Sequence, residues 1–148
     1  MRIGTYNVLG LTGYPYEESS SEIGKPGEDS NTAHFVRVFS ELNCDVLALQ
    51  EGVSIRTAQH IALQMGYYLA SIPSPINWPG HILSKYSILE SRVFSHLDPK
   101  QETPPFSRTS GAALLSVGDN TLWAVNVHLH PSNVDLRRQE ANLLKNYI

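Results

Sequence analysis

The sequence predicts an α/β fold, on three observations. A strand-like run at Arg2–Leu9 is followed by a helical pattern and then by a second short apolar run at Asp45–Gln50, the order of a β-α-β unit. Between them Phe35, Val38, Phe39 and Leu42 recur at helical spacing, which gives that helix one buried face. Later, Thr109–Val117 and Thr121–Leu129 flank Gly118-Asp119-Asn120, turn chemistry between two strand-length runs, and predict a β-hairpin.

The remaining elements follow in order. Gly10–Asp29 is a long loop rich in Gly, Pro, Ser and Glu, and loops of that length are usually functional or mobile. Its acidic run, Glu17, Glu18 and Glu22, is expected to be solvated surface rather than a metal site. Ser30 or Asn31 caps the first helix, which runs to about Asn43. Glu51-Gly52 ends the second strand abruptly. Ser54 caps a second helix with Ile55, Ala58, Ala62 and Met65 on one face, and Gly66 stops it. Tyr67–Ile72 is strand-like, and Pro73, Pro75 and Pro79 stiffen the loop after it. Gly80–Ser84 and Ile88–Leu97 read as strands joined by a tight turn at Lys85–Ser87, and Asp98–Ser107 as a proline-rich loop. Ser132 is the expected N-cap of a last helix, with Asp135 three residues on as a capping-box variant. Leu136, Glu140, Leu143, Leu144 and Tyr147 share a side of it.

Composition narrows the class. The chain has 148 residues, 41% hydrophobic and 17% charged, which fits one folded domain with a core. A net charge of −3 and a pI near 6.0 exclude a strong overall basic field of the kind that holds nucleic acid non-specifically. Cys44 is the sole cysteine, so no intrachain disulfide forms; it reads as a small buried residue at a helix end. No apolar run approaches the ~20 residues of a membrane span. The first residues are strand-like and lack the apolar core of a signal peptide, so the expected location is cytoplasmic unless a leader has been removed.

The chemistry gathers at strand ends. Along Thr121–Pro131, one face is Trp123, Val125, Val127 and Leu129, and the other is Leu122, Ala124, Asn126 and His128. The second face turns from apolar to polar, with Asn126 and His128 about 7 Å apart on the same side. Asn7 ends the first strand and Glu51 the second. A carboxylate and an amide from neighbouring strand ends can ligate a hard cation through oxygen, and a nearby His can act as acid or base. Magnesium suits this set better than zinc, which would want more His or Cys at ligand spacing.

These residues sit in motifs that resemble the endonuclease/exonuclease/phosphatase superfamily. Ile3-Gly4-Thr5-Tyr6-Asn7-Val8 resembles its opening strand, and Asp45–Glu51 its second motif, whose Glu binds magnesium. Gly80–Ile88 is similar to its Gly-Asn-x-(Ile/Leu)-Leu-Ser-Arg-Tyr-Pro-Ile segment. Ser107-Arg108 before Gly111–Leu114 is similar to its Arg-containing strand start, Asn126–Leu129 to its Asn-x-His-Leu motif, and Arg137, Arg138 and Gln139 to the helix that follows. The resemblance implies a two-sheet α/β sandwich of the deoxyribonuclease I type, with the active site where the ends of the sheets meet. It implies metal-dependent hydrolysis of a phosphate ester, with Mg2+ as cofactor and Mn2+ as an alternative. By position, Glu51 and Asn7 carry over as metal-site residues, Asn7 also as a substrate contact. His128 carries over as the catalytic His, with Asn126 organising the site beside it. Arg108 matches a substrate-binding Arg, with a loop-anchoring Arg as the other reading.

The chain also departs from the pattern. Val127 stands for the common Thr, and His81 for the common Asn, either at the substrate side or as a rim residue. His34 and His130 read as solvent-side, His60 as helical and His96 as near a strand end, without roles. The family's later Gly-Asp-x-Asn and Ser-Asp-His motifs have no match, since Gly118-Asp119-Asn120 precedes the His strand. Residues 1–148 therefore resemble the N-terminal portion of a single such domain, with the rest expected as a partner in cis or trans. The apolar strand face at Trp123 and Val125 is then expected to lack cover, and the 148 residues alone to be inactive. The negative charge, and Tyr6 where repair nucleases resemble Ser-Trp-Asn, favour a small or lipid-like phosphoester over DNA. A DNA endonuclease or exonuclease is the alternative, and a non-catalytic binding or scaffold fragment is the alternative of another class.

Overall fold

A computed structural model describes residues 1–11, 31–76, 78–95 and 103–148. The acidic run at Glu17, Glu18 and Glu22, the Ser30 cap, His96 and the start of the proline-rich loop lie outside the described residues. Strand β1 (Ile3–Asn7) runs parallel to β2 (Val46–Gln50), and helix α1 (Thr32–Leu42) lies between them in the chain. Helix α2 (Ile55–Met65) and β3 (Tyr68–Ile72) follow, then β4 (Gly80–Ser84), which pairs antiparallel with both β2 and β3. The first sheet thus has the order β1-β2-β4-β3. The second is an antiparallel meander of β5 (Ile88–Val93), β6 (Ser110–Val117) and β7 (Asn120–Val127), after which comes α3 (Val134–Leu144).

Local chemistry explains where these elements begin and end. Ser54 Oγ accepts from Thr57 N–H and caps α2, and Gly66 closes it in the left-handed region at φ 68°. Asn43 does the same for α1 at φ 46°. Asn31 occupies the N-cap position of α1, but its Nδ2 donates to Leu11 O at 2.7 Å and so anchors the turn after β1. The cap of α3 is Asn133, whose side chain accepts from Leu136 N–H, not Ser132. Asp135 lies in the first turn of α3 and pairs at the surface with Arg138. The β6–β7 hairpin pairs Val117 with Asn120, leaving a two-residue loop whose first residue, Gly118, has φ 60°. That is the position at which such loops favour glycine. The strand expected over Ile88–Leu97 ends at Val93. The tight turn after β4 joins two strands of different sheets: Tyr86 N–H donates to Ser84 Oγ, and Lys85 Nζ is held by Asn43 Oδ1 and Asp45 Oδ1.

Alternation along the strands feeds separate layers. On the outer face of the first sheet, Leu47, Leu49 and Leu83 pack against Phe35 and Phe39 of α1 and Ile61 of α2. Between the sheets, Val46, Ala70, Ile72 and Ile82 meet Ala113 and Leu115. Beyond the second sheet, Phe94, Phe106 and Ala112 pack with Leu143 and Leu144 of α3. The result is an α/β sandwich of two sheets with helices outside. Being covered on both faces, β2 reads as an unbroken apolar run. The apolar helical faces are narrower than their spacing predicts. Leu42 is 39% and Ile55 57% exposed, because each sits at the end of its helix, past the neighbour that covers the rest. Among the described residues, no helix is long and apolar enough to cross a membrane.

Strands β1 and β7 are neighbouring edges of the two sheets, and both are apolar and open. Ile3 is 62%, Trp123 37% and Val125 36% exposed. A cleft of about 450 Å³ between these edges is lined by Ile3, Val125, Val127, Leu144 and Ile148, with polar groups deeper in it. Unpaired edges with apolar side chains invite association. Purified residues 1–148 are therefore expected to self-associate, and Trp123→Lys with Val125→Lys to reduce it. Sedimentation velocity checks this, and a soluble monomer with cooperative unfolding would contradict it.

Candidate active site

The site is built on one buried carboxamide. Pairing of β6 with β7 sets Leu122, Ala124 and Asn126 opposite Leu115, Ala113 and Gly111, so Asn126 faces the first sheet. Its side chain is 1% exposed. Nδ2 donates to Leu49 O at 2.8 Å and to His81 O at 3.1 Å, the backbones of β2 and β4 where those strands pair. Its Oδ1 accepts from Gln50 Nε2 at 2.7 Å. Gln50 also donates to Thr5 Oγ1 on β1, at 3.0 Å. Such close approach needs a glycine at position 80: a Cβ there would sit 2.9 Å from Asn126 Nδ2 and 2.4 Å from Thr109 Cγ2. Sequence reading passed over Gln50; a polar residue closing an apolar strand was the available signal.

Glu51 leaves β2 in the left-handed region at φ 49°, an uncommon and strained conformation for a residue with a side chain. Its carbonyl accepts from Gly10 N–H, and the next N–H, of Gly52, donates to Pro79 O, both at 2.7 Å. Those contacts aim the carboxylate at residues from the second sheet. Glu51 Oε1 lies 3.6 Å from His128 Nε2 and 3.7 Å from Arg108 Nη1. His128 follows β7 and extends its pairing by one step, donating its N–H to Thr109 O at 2.8 Å. Its ring is largely buried, and Nδ1 has no hydrogen-bond partner among the described residues. Burial lowers the His128 pKa below the usual 6.5, the Arg108 guanidinium lowers it further, and Glu51 and Glu140 oppose both. Asn7 is exposed at the end of β1, opposite Gln50, and its Oδ1 accepts from Leu9 N–H at 3.1 Å.

Glu51, Arg108 and His128 are thus brought to one point, with Asn126 beneath them and Asn7 on the adjacent strand end. Two further histidines stand elsewhere than expected. His81 is not a rim residue: it is fully buried on the helix side of β4, where Nε2 donates to Val53 O at 2.9 Å and Nδ1 faces Ser71 Oγ at 3.1 Å. Its place in the second position of β4 turns it toward α2 and away from the cleft. His130 is not simply solvent-side, since its Nδ1 accepts from Asn133 N–H at 2.9 Å and braces the start of α3. Sequence reading also gave no role to Glu140, a carboxylate in an apolar helical stripe that is 2% exposed. Among the described residues, no group of three or more His, Cys, Asp or Glu side chains could hold a metal. Any cation here would rest on one carboxylate and amide oxygens, the hard-donor set of magnesium rather than zinc.

No family model and no curated protein matches the sequence. Solved structures do match the fold. An endonuclease/exonuclease/phosphatase family protein from Bacteroides thetaiotaomicron superposes with a TM-score of 0.73 at 13% identity, over 99% of this chain and 57% of that one. A member of the same family from Leptotrichia buccalis gives 0.67 at 14% identity, over 100% and 61%. TDP2 from D. rerio, solved with a single-strand DNA product, gives 0.64 at 17% identity, over 99% and 54%. The chain therefore has the fold seen in these proteins, and it spans about half to three fifths of their length.

Two outcomes follow from the site's geometry. Asn126→Ala removes two buried hydrogen bonds to the Leu49 and His81 carbonyls and a part-buried one from Gln50 Nε2, so it should cost about 3 kcal/mol in denaturant unfolding. A loss within experimental error would show that the carboxamide is dispensable. The lowered pKa of His128 makes the folded state prefer its neutral form. Its contribution to stability is complete above about pH 6.5 and is lost as pH falls through the lowered folded value. In metal-free buffer, the Tm difference between wild type and His128→Gln should shift against wild type as pH drops below 6.5. Parallel Tm profiles would contradict this.

Proposed function

We propose that this chain, which shares part of its fold with the endonuclease/exonuclease/phosphatase proteins, belongs to a magnesium-dependent hydrolase of phosphate esters. The carrying observation is the meeting of Glu51, Arg108 and His128 at 3.6 to 3.7 Å, contributed from both sheets. A carboxylate for a cation, a guanidinium for phosphoryl oxygens and an imidazole for proton transfer are the parts such a reaction needs.

Glu51 and Asn7 would hold the cation, Mg2+ or alternatively Mn2+. Glu51 Oε1 has His128 and Arg108 beyond hydrogen-bond length, which leaves its lone pairs available to a metal. When bound, the ion supplies charge neutralisation and Lewis acidity at a phosphoryl oxygen. The chain's own residues do the rest. Arg108 binds the phosphate and spreads its growing charge. Burial lowers the pKa of His128, and Nε2, the nitrogen on the Glu51 side, faces a phosphoryl oxygen for proton transfer. Asn7 orients the phosphate or the attacking water from the next strand end, and Asn126 positions His128 from beneath. The buried, unpartnered Nδ1 supports a contribution from outside this chain, such as the acidic partner that the family resemblance places in the later part of the domain.

Net charge −3 supports a small or lipid-like phosphoester as substrate. A DNA phosphodiester is the second reading, favoured by the likeness to TDP2 from D. rerio, which was solved with a single-strand DNA product. Full-length protein assayed with magnesium against bis(p-nitrophenyl) phosphate, a glycerophosphodiester and a single-stranded oligonucleotide separates these. Turnover of the glycerophosphodiester above the oligonucleotide is expected. No turnover of any of the three would favour a binding or scaffold role.

Glu51→Gln should raise the magnesium concentration needed for half-maximal rate and cut turnover severely. An unchanged magnesium titration would remove Glu51 from the metal site. His128→Ala should lower kcat by about 10² to 10⁴-fold, the range typical of a lost general acid–base group. Retention of kcat would remove His128 from the chemistry.

A further inference from the structure

Glu140 lies on α3 beside Leu143 and Leu144, 2% exposed. A carboxylate in such surroundings is costly unless both oxygens are satisfied. Here each oxygen accepts from a backbone N–H, and the two donors come from distant segments. Oε1 takes Ser107 N–H at 2.7 Å, and Oε2 takes His130 N–H at 2.8 Å. Ser107 directly precedes Arg108, and His130 follows His128 by two residues. The same two segments touch where His128 N–H donates to Thr109 O.

The bend at His130 is held from other sides as well. Arg137 Nη1 donates to Pro131 O at 2.9 Å and to His130 O at 3.3 Å. The Ser107 hydroxyl has no hydrogen-bond partner among the described residues, so the N–H bond to Glu140 is the polar tie of that segment to α3. We infer that Glu140 is a positioning residue: through these two bonds it fixes Arg108 and His128 against each other across the site, without touching substrate. The catalytic consequence rests on the phosphoester reading above. The carboxylate is required in both halves of its role. Glutamine has one acceptor, and its NH2 would face a backbone N–H as donor against donor.

The test uses full-length protein with Glu140→Ala, Glu140→Gln and a control, Asn133→Ala. The control removes the α3 cap bond to Leu136 N–H and leaves both Glu140 contacts in place. Hydrogen exchange at the Ser107 and His130 amides should speed up by at least about tenfold in Glu140→Ala, should speed up at one of the two in Glu140→Gln, and should be unchanged in Asn133→Ala. At equal fraction folded, kcat should fall about 10²-fold in Glu140→Ala, as expected for misplaced catalytic groups, and less in Glu140→Gln. Unchanged protection of the two amides in Glu140→Ala overturns the inference. So does a kcat loss no larger than that of Asn133→Ala, which would mark a merely structural role. If Glu140→Ala does not fold, the isosteric Glu140→Gln decides by the same readouts. If wild type hydrolyses none of the phosphoesters, the functional reading fails by itself. The exchange measurement then still decides whether Glu140 holds the two segments.

Discussion

The arrangement depends on the Asn126 carboxamide. It is buried between the sheets and bonded to Leu49 O, His81 O and Gln50 Nε2. In a low-dielectric interior these bonds strengthen one another, and any shift of one strand would leave polar groups unpaired. The apolar contacts between Val46, Ile82, Ala113 and Leu115 would tolerate small sliding of the sheets; the carboxamide does not. Because it lies two residues before His128 and touches the two residues before Glu51, it also fixes how the cleft's two walls face each other.

The cleft shows how opposite electrostatic tendencies are set against each other. Burial and Arg108 disfavour protonation of His128, while Glu51 and Glu140 favour it. A buried imidazole beside a guanidinium stays neutral and able to exchange a proton, whereas one paired with carboxylates alone would be held charged. Glu51 reaches this position through a left-handed backbone that its neighbours enforce: Gly10 N–H on its carbonyl, Pro79 O on the next amide, and Gly52 packed flush on the His81 ring. Glu51 is one of four non-glycine residues with positive φ among the described residues, and its surrounding contacts over-determine the backbone that delivers the carboxylate.

Two features leave apolar or polar groups uncovered or unpartnered among the described residues. The β1 and β7 edges are open and apolar, and His128 Nδ1 is buried without a partner among the described residues. The chain also spans only about half to three fifths of the structures whose fold it shares. The open β7 edge and the unpartnered His128 Nδ1 are adjacent in the chain, His128 following β7 directly.

What the sequence determined by itself was local. Periodicity located the strands and helices, Ser54, Gly66 and Gly118 marked caps and turns, and the polar ends of three strands marked Asn7, Glu51, Asn126 and His128. These signals are readable because backbone geometry at each of those points depends on neighbours within a few residues. The ordered motifs added the sandwich and its chemistry by resemblance. Only the tertiary structure decided what met what. It divided β4 and β5 between two sheets although they adjoin in sequence, and it moved His81 from the rim into the core. It also gave Gln50 and Glu140 their bonding partners. Burial and hydrogen-bond partners are set by packing of segments from 10 to 76 residues apart, and no local pattern encodes that packing: a glutamate in a helical stripe reads alike whether solvent or two backbone amides await it.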